Sequence, residues 1–332
     1  MMVANRVNPL FALMGLGLLL NAGAESSVVD WGQLPGTRTL RSELMEVEVM
    51  DPVAPGRYNQ GVRFSPVANV LRVTMDGRNF LYAPLEHNMM TENGGLAMEF
   101  DVKFDEGSPP GFADAAWGEG FLKVGVGVLG RHGENYDFYA QYPLLEPAIT
   151  QVEWFEDRAR FSQVSAVVQG YAYQLDSEIV VSGNELQITH RLTNTGERRL
   201  ETENYAHNFY RFDNQNCDES YIIEIDYDFY SVIMNPPIER RGRMLVFAGE
   251  FEDELPVSRI YIFPHEADRD SDSITITNAR NGMRVVTKTI PNTGRSLIHS
   301  EPDYLSPEQF VRLDLEPGES DEWTRIYRFE VL

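Results

Sequence analysis

Cysteine and histidine are both scarce in this chain of 332 residues, which contains one cysteine, Cys217, and six histidines. A lone cysteine excludes an intrachain disulfide and any cysteine-based metal cluster. The histidines form neither an H-E-x-x-H sequence nor a closely spaced pair, so a histidine zinc site is not supported. The composition therefore predicts no metal centre of these kinds.

Positive charge is also in short supply, with 28 Lys and Arg against 51 Asp and Glu, a formal net charge of −23. Such a surface repels phosphate backbones and anionic membranes, so neither nucleic acid nor a charged membrane surface is expected as a partner. The hydrophobic fraction of 42% is nevertheless sufficient for a core and argues against general disorder.

Long hydrophobic runs are missing except near the N-terminus. Arg6 precedes the apolar run Leu10–Leu20, which is too short to span a bilayer, and Ala22-Gly23-Ala24 is a small-residue cleavage site. We interpret residues 1–24 as a secretory signal peptide and residues 25–332 as a single domain. The protein is then expected to be exported to a bacterial periplasm or the medium, without membrane contact after cleavage.

Alternation of apolar and polar residues with a period of two is the dominant pattern in the rest of the chain. Examples are the runs at 186–192, Met283–Ile290 and 311–315, separated by turn sequences such as Asp76-Gly77 and Asn281-Gly282. A long amphipathic helix with a period of 3.6 is not found. These features predict an all-β fold, a large antiparallel sandwich.

Two short matches to ligand motifs lack the context that their chemistry needs. Gly125, Gly127 and Gly130 spell G-x-G-x-x-G, but a turn sequence follows where a dinucleotide site requires a helix, and glycines in a strand explain them better. Asp268, Asp270 and the next alternate residue have calcium-loop spacing without the turn glycine or the final glutamate. Metal binding by this acidic loop near Asp270 is left open.

His207 lies in a segment crowded with polar and aromatic residues. If the segment is a strand, Tyr205, His207 and Phe209 share one face, whereas Asn204 and Asn208 share the other. An imidazole between aromatic rings is typical of a sugar-binding wall, because rings stack on C–H faces and the imidazole meets a hydroxyl. The alternative is a core histidine satisfied by one hydrogen bond.

Four features in order along residues 55–332 resemble the galactose mutarotase (aldose 1-epimerase) superfamily. They are Gly61–Phe64 with Leu71–Phe80, Asn93–Gly95 with His87 upstream, Asn204–Phe209, and Pro307-Glu308 followed by Leu315–Glu319 and Trp323–Phe329. The resemblance implies a β-supersandwich with an open sugar cleft. It also implies a cofactor-free reaction on a small sugar, in which a carboxylate base and an imidazolium acid open and close the ring to interconvert anomers.

Carried onto this sequence, the resemblance makes Glu308 the base and His207 the acid, facing each other about one sugar ring apart. Arg63, His87 and Asn93 would bind sugar hydroxyls.

Tyr205 and Phe209 would be stacking or supporting residues. Glu301 competes with Glu308 as the base, and Asp226 and Asp228 are candidates for a further sugar contact. A non-catalytic carbohydrate-binding protein with the same fold is the alternative function. Glu308 precedes the predicted strand at 311–315 and is expected at a strand end.

Overall fold

Antiparallel strands provide nearly all regular structure in the computed structural model, which describes residues 31–101, 107–233, 237–251, 256–265 and 272–332. The predicted signal peptide and the residues Asp268 and Asp270 lie outside this described part. Within it the regular helical structure is a single 3₁₀ turn, and no helix there is long and apolar enough to cross a membrane.

The first half of the described chain contains twelve strands. Their bounds are β1 Thr37–Arg41, β2 Met45–Met50, β3 Val70–Met75, β4 Arg78–Asn79, β5 Leu96–Asp101, β6 Gly120–Lys123, β7 Gly127–Gly130, β8 Leu144–Pro147, β9 Ile149–Trp154, β10 Arg158–Val164, β11 Tyr173–Ser182 and β12 Glu185–Asn194.

The second half contains eleven strands and the 3₁₀ turn Phe212–Asn214. Their bounds are β13 Leu200–Asn208, β14 Tyr221–Ile225, β15 Phe229–Ile233, β16 Ile238–Arg241, β17 Met244–Phe247, β18 Ser258–Pro264, β19 Asp272–Asn278, β20 Met283–Ile290, β21 Arg295–Glu301, β22 Tyr304–Leu315 and β23 Ser320–Val331.

Two ten-stranded sheets form the body of the fold. The first has the order β1-β2-β3-β5-β13-β22-β21-β18-β15, with β4 paired to β3, and the second has the order β16-β17-β14-β19-β20-β23-β12-β11-β10-β9. A small sheet, β6-β7-β8, is separate from both. Buried side chains from both large sheets, such as Val73 of the first and Phe329 of the second, belong to one core cluster. The predicted antiparallel β-sandwich is therefore confirmed.

The period-two pattern explains which side chains enter the core. In β12 the buried residues are Leu186, Ile188, His190, Leu192 and Asn194, and the residues between them are exposed or half-buried. The turn Asp76-Gly77 joins β3 to β4 with φ of 52° and 74°, which is the left-handed conformation that the short hairpin needs.

The glycine motif proves to be part of the small sheet. Gly127 and Gly130 are the ends of β7, whereas Gly125 lies in the turn before it, so the prediction of strand glycines holds for two of the three. A Cβ atom on Gly127 would lie 2.4 Å from the carbonyl oxygen of Glu146 on the neighbouring strand β8. Close strand approach accounts for this glycine.

The expected position of Glu308 at a strand end is wrong, because β22 begins at Tyr304 and Glu308 lies inside it, opposite Leu297 of β21. Pro307 is an unusual residue inside a strand, since proline has no N–H for the ladder. In the structure its carbonyl accepts a 2.6 Å hydrogen bond from the side-chain amide of Asn208. A side chain thus fills the place of a backbone partner.

Candidate functional site

A cavity of about 440 Å³ lies on the first sheet, over the adjacent strands β13, β22, β21 and β18. It is on the face turned away from the second sheet, because the alternate residues Asn204 and Asn208 of β13 bond to Arg325 and Tyr327 of β23. The side chains that line it include Arg63, Phe138, Tyr139, Tyr205, His207, Arg259, Tyr261, Arg295, Leu297, His299, Glu301, Tyr304, Glu308 and Phe310.

His207 and Glu308 are in direct contact in this cavity. His207 Nε2 lies 3.2 Å from Glu308 Oε1, and both side chains are more than nine-tenths buried. The hydroxyl of Ser306 is 3.3 Å from the same carboxylate oxygen. The predicted separation of one sugar ring is therefore wrong, because the two residues lie side by side on neighbouring strands.

An interruption in the ladder between β13 and β22 creates this arrangement. The regular pairing of the two strands ends at Asn204 opposite Val311. Beyond that point the backbone N–H of Asn208 donates to the Ser306 hydroxyl at 3.0 Å instead of to a backbone carbonyl. Side chains thus hold the strands where His207 and Glu308 meet.

The ring of His207 is held by its aromatic neighbours. Phe209 stacks on it with ring centroids 4.1 Å apart, and Phe64 meets it edge-on at 6.1 Å. Nδ1 is buried and has no hydrogen-bond partner among the described residues. A neutral ring is therefore best protonated on Nε2, where the Glu308 carboxylate accepts the hydrogen bond.

Burial is the main cause that lowers the pKa of His207 well below its usual value, and the charges of His299, Arg63 and Arg259 act in the same direction. The imidazole is therefore neutral near pH 7 in the empty cavity. The resemblance implied an imidazolium, which at this site is the minor form.

Arg63 and Tyr205 reach the cavity as parts of a buried polar network. Glu99, which is fully buried, accepts hydrogen bonds from Arg63 Nε at 2.8 Å and from the Tyr205 hydroxyl at 2.5 Å. Lys123 Nζ lies 3.3 Å from the other carboxylate oxygen. Burial raises the pKa of Glu99, but the charges of Arg63 and Lys123 and the hydrogen bonds outweigh it, so the pKa is lowered. The network fixes both cavity residues in place.

The predicted sugar contacts divide into two groups. Arg63 and Tyr205 line the cavity, whereas Phe209 stacks on the ring of His207 and does not line the cavity itself. His87 is elsewhere: its ring stacks on Tyr58 at 3.8 Å and Nε2 lies 2.7 Å from the Tyr58 carbonyl oxygen.

Asn93 does not line the cavity either. Its Oδ1 accepts a hydrogen bond from the backbone N–H of Gly94, just before β5 begins. The structure thus corrects the placement of His87 and Asn93 in the sugar site. Asp226 and Asp228 are also absent from the lining, and Asp228 pairs with Arg243 at 2.7 Å.

Sequence reasoning missed a second polar cluster beside His207. Glu301 Oε1 accepts a hydrogen bond from the Tyr304 hydroxyl at 2.8 Å and lies 3.2 Å from His299 Nε2. The rings of His299 and His207 are 5.3 Å apart. The alternation of Leu297, His299 and Glu301 along β21 was the available signal.

Burial raises the pKa of Glu301, but hydrogen bonds from His299 and Tyr304 and the charges of His299 and Arg259 outweigh burial, so the pKa is lowered. Glu301 is therefore an ionised carboxylate near neutral pH. Both candidate bases line the cavity, but only Glu308 forms a direct contact with His207 among the pairs in the described residues. In the same part of the chain, no group of three or more His, Cys, Asp or Glu side chains is arranged to hold a metal ion.

Comparison with known proteins shows similarity at the level of structure. No family model matches the chain, and no curated protein matches it. A galactose mutarotase-like protein from Clostridium acetobutylicum is 14% identical, with a TM-score of 0.54 over 89% of this chain and 95% of that one. A galactose mutarotase related enzyme from Lactobacillus acidophilus is 11% identical, with a TM-score of 0.53 over 89% and 97%.

An aldose epimerase homologue from C. elegans is 12% identical, with a TM-score of 0.52 over 90% of this chain and 99% of that one. This chain thus covers each of these three structures almost completely, although few residues are identical between the sequences. Likeness at this identity establishes architecture and leaves chemistry to be argued from the site. The chain has the galactose mutarotase-like β-supersandwich fold.

Proposed function

We propose that the protein is an aldose 1-epimerase-like isomerase that interconverts the anomers of a sugar by acid and base catalysis. The observation that carries the proposal is the 3.2 Å contact between His207 Nε2 and Glu308 Oε1 at a cavity of sugar size. A pair of titratable groups in contact inside a cleft is a common arrangement for proton transfer.

The reaction needs two proton transfers at neighbouring atoms. The anomeric hydroxyl must lose its proton and the ring oxygen must gain one, and both oxygens are bonded to the same carbon. Two groups in contact, His207 and Glu308, can therefore reach both oxygens of one bound sugar. Glu308 takes the hydroxyl proton, His207 gives a proton to the ring oxygen, and the C1–O5 bond breaks. After rotation about C1–C2, the reverse transfers close the ring on the other face.

The pair needs one proton beyond its resting state to perform this cycle. Protonated His207 with ionised Glu308 holds that proton, and so does neutral His207 with protonated Glu308; the two forms belong to one coupled titration. Because the pKa of His207 is lowered, the charged pair is scarce near neutral pH. Activity is therefore expected to increase toward mildly acidic pH.

The remaining lining suits a sugar ring. Phe138 and Tyr139 lie against the guanidinium of Arg63, at 4.8 Å and 5.1 Å from its central carbon to the ring centroids. Phe310 of β22 and Tyr205 of β13 stack with their ring centroids 4.7 Å apart. Aromatic faces with a few fixed polar groups bind the C–H and hydroxyl faces of a pyranose.

Export to a bacterial periplasm or the medium is part of the proposal, and it rests on the sequence of residues 1–24. Its test is the mass of the protein recovered from the producing bacterium, which should begin at Glu25. The net charge of −23 further argues for a small sugar and against nucleic acid as the partner.

The test of the catalytic proposal is the rate of mutarotation of freshly dissolved α-glucose and α-galactose. The wild-type protein should accelerate it, and Glu308→Gln should abolish most of the acceleration. Glu224→Gln, on the exposed surface of β14, is the matched control. Sugar binding without any acceleration would instead support a non-catalytic carbohydrate-binding protein.

A further inference from the structure

We propose that the sugar carries a negatively charged group, a carboxylate or a phosphate, and that Arg259 recognises it. This inference rests on the proposed function, since it names the class of aldose that the same cavity accepts. Three guanidinium groups line the cavity, those of Arg63, Arg259 and Arg295, in a chain with a net charge of −23. Their environments differ.

Two of the three arginines are matched by buried carboxylates. Arg63 Nε is 2.8 Å from Glu99 Oε2, and Arg295 Nη2 is 2.6 Å from Glu203 Oε2. Arg295 also lies flat on Phe310, with its central carbon 3.6 Å from the ring centroid. Both cations are thus neutralised and held in place by the protein itself, and neither requires an anionic ligand.

Arg259 has a different environment. It lies on β18 opposite His299 of β21, and within the described part of the chain its one hydrogen bond runs from Nε to His299 Nδ1 at 3.4 Å. Among the described residues it forms no ion pair with a carboxylate. Its charge nevertheless acts on both His207 and Glu301. The terminal nitrogens of this guanidinium are therefore available to a ligand in the cavity.

Arg259 lines the same cavity as the proton-transfer pair. Along the sheet the residues follow one another in the order His207 of β13, Glu308 of β22, His299 of β21 and Arg259 of β18. In a hexopyranose the exocyclic carbon on C5 projects beyond the ring, and a charged group on it would lie on the Arg259 side of this cavity.

A guanidinium is the side chain best suited to such a group. Its planar fork donates two parallel hydrogen bonds to a carboxylate or a phosphate, whereas a neutral hydroxymethyl group offers it a single uncharged oxygen. The shared chemistry is a planar or tetrahedral oxyanion on the exocyclic carbon. A uronic acid has the first and a hexose 6-phosphate has the second.

The experiment measures kcat/KM for anomer interconversion by NMR magnetisation transfer. Its substrates are glucuronate, galacturonate, glucose 6-phosphate, galactose 6-phosphate and the two neutral hexoses. We expect one acidic class to exceed its neutral counterpart by about tenfold, the effect of one charge-assisted hydrogen bond. Arg259→Gln should lower the ratio of acidic to neutral kcat/KM by about as much, and Arg259→Lys should restore part of it. Arg160→Gln, at an exposed ion pair on β10, should leave the ratio unchanged.

The outcomes separate the inference from the proposed function. Equal kcat/KM for acidic and neutral sugars, changed alike by Arg259→Gln, would overturn the inference and leave the epimerase proposal intact. Acceleration of no sugar would contradict the epimerase proposal, and the inference would then be judged by calorimetric binding of the same acids to wild type and Arg259→Gln. Binding that the variant does not weaken overturns it. Circular dichroism of each variant shows that it is folded.

Discussion

His207 and Glu308 approach to 3.2 Å from two neighbouring strands whose ladder is interrupted beside them. Ser306 and Asn208 close the interruption with side-chain hydrogen bonds, so the contact occurs without loss of the sheet. The same sheet that forms the core thus holds an imidazole and a carboxylate in contact on its outer face, supported by strands and not by loops.

The pH dependence of kcat/KM tests the protonation state of this pair. The pKa of His207 is lowered, chiefly by burial, so its protonated fraction increases as the pH falls from about 8 to about 6. We therefore expect kcat/KM for mutarotation to increase over this range. Each rate is measured by polarimetry after subtraction of the uncatalysed rate in the same buffer. A kcat/KM that increases with pH over this range would contradict the assignment of the scarce protonated pair as the active form.

Replacement of Glu99 tests the network that holds Arg63. Glu99→Gln removes the carboxylate that serves both Arg63 and the fully buried Lys123. The free energy of unfolding should fall by about 3 kcal/mol, because a buried cation is left without its partner. The measurement is urea unfolding near pH 7, where Glu99, with its lowered pKa, is ionised.

The matched control for that prediction is Glu178→Gln. Glu178 pairs with Arg160 at 2.7 Å, but both side chains are exposed by more than a third. Surface pairs of this kind contribute less than about 1 kcal/mol. Equal losses in the two variants would show that the Glu99 network does not stabilise the fold as described.

The buried ring of His190 should make the free energy of unfolding depend on pH, independently of catalysis. Its ring is buried beside Trp323 and hydrogen-bonded to the Ser177 hydroxyl at 2.8 Å, and burial lowers its pKa well below the usual 6.5. The unfolded chain therefore binds one proton more than the folded chain between the two pKa values. The stability that the neutral His190 ring contributes is present above pH 6.5 and is lost as the pH falls below it.

Urea unfolding at pH 7.5 and 5.5 measures this loss. Because the two proteins differ at a single titrating site, the free energy of unfolding of wild type should fall by about 1 kcal/mol more than that of His190→Gln between the two pH values. Other groups that titrate in this range contribute to both proteins and cancel in the comparison. Identical losses would mean that His190 binds a proton as readily in the folded protein as in the unfolded chain, which contradicts a lowered pKa.

The sandwich was predictable because its strands alternate with little ambiguity. Met283–Ile290 was predicted and is observed with the same bounds. The face shared by Tyr205 and His207 followed from the same periodicity, and both side chains line the cavity. Local pattern suffices wherever one face of a strand is buried and the other is not.

The rest of the site depends on which strands become neighbours. His299 and Arg259 line the same cavity as His207 only because β21 and β18 follow β22 in the sheet, a long-range pairing that no local pattern shows. His87 was placed at the sugar by resemblance alone, but six residues separate it from the glycine pair, and it stacks on Tyr58 instead. Pro307 is accommodated inside β22 because it lies beyond the point where the regular ladder to β13 ends, at Asn204 opposite Val311.

The role of Glu308 is tested by polarimetry of α-glucose, α-galactose and the corresponding uronates with four proteins: wild type, Glu308→Gln, Glu301→Gln and the surface control Glu224→Gln. We expect acceleration of at least one sugar by wild type and a loss of about 100-fold or more in Glu308→Gln, as for removal of a proton-transfer group. A smaller loss is expected in Glu301→Gln and none in the control. A folded Glu308→Gln protein that turns over the sugar at the wild-type rate would contradict the assignment of Glu308 as the base.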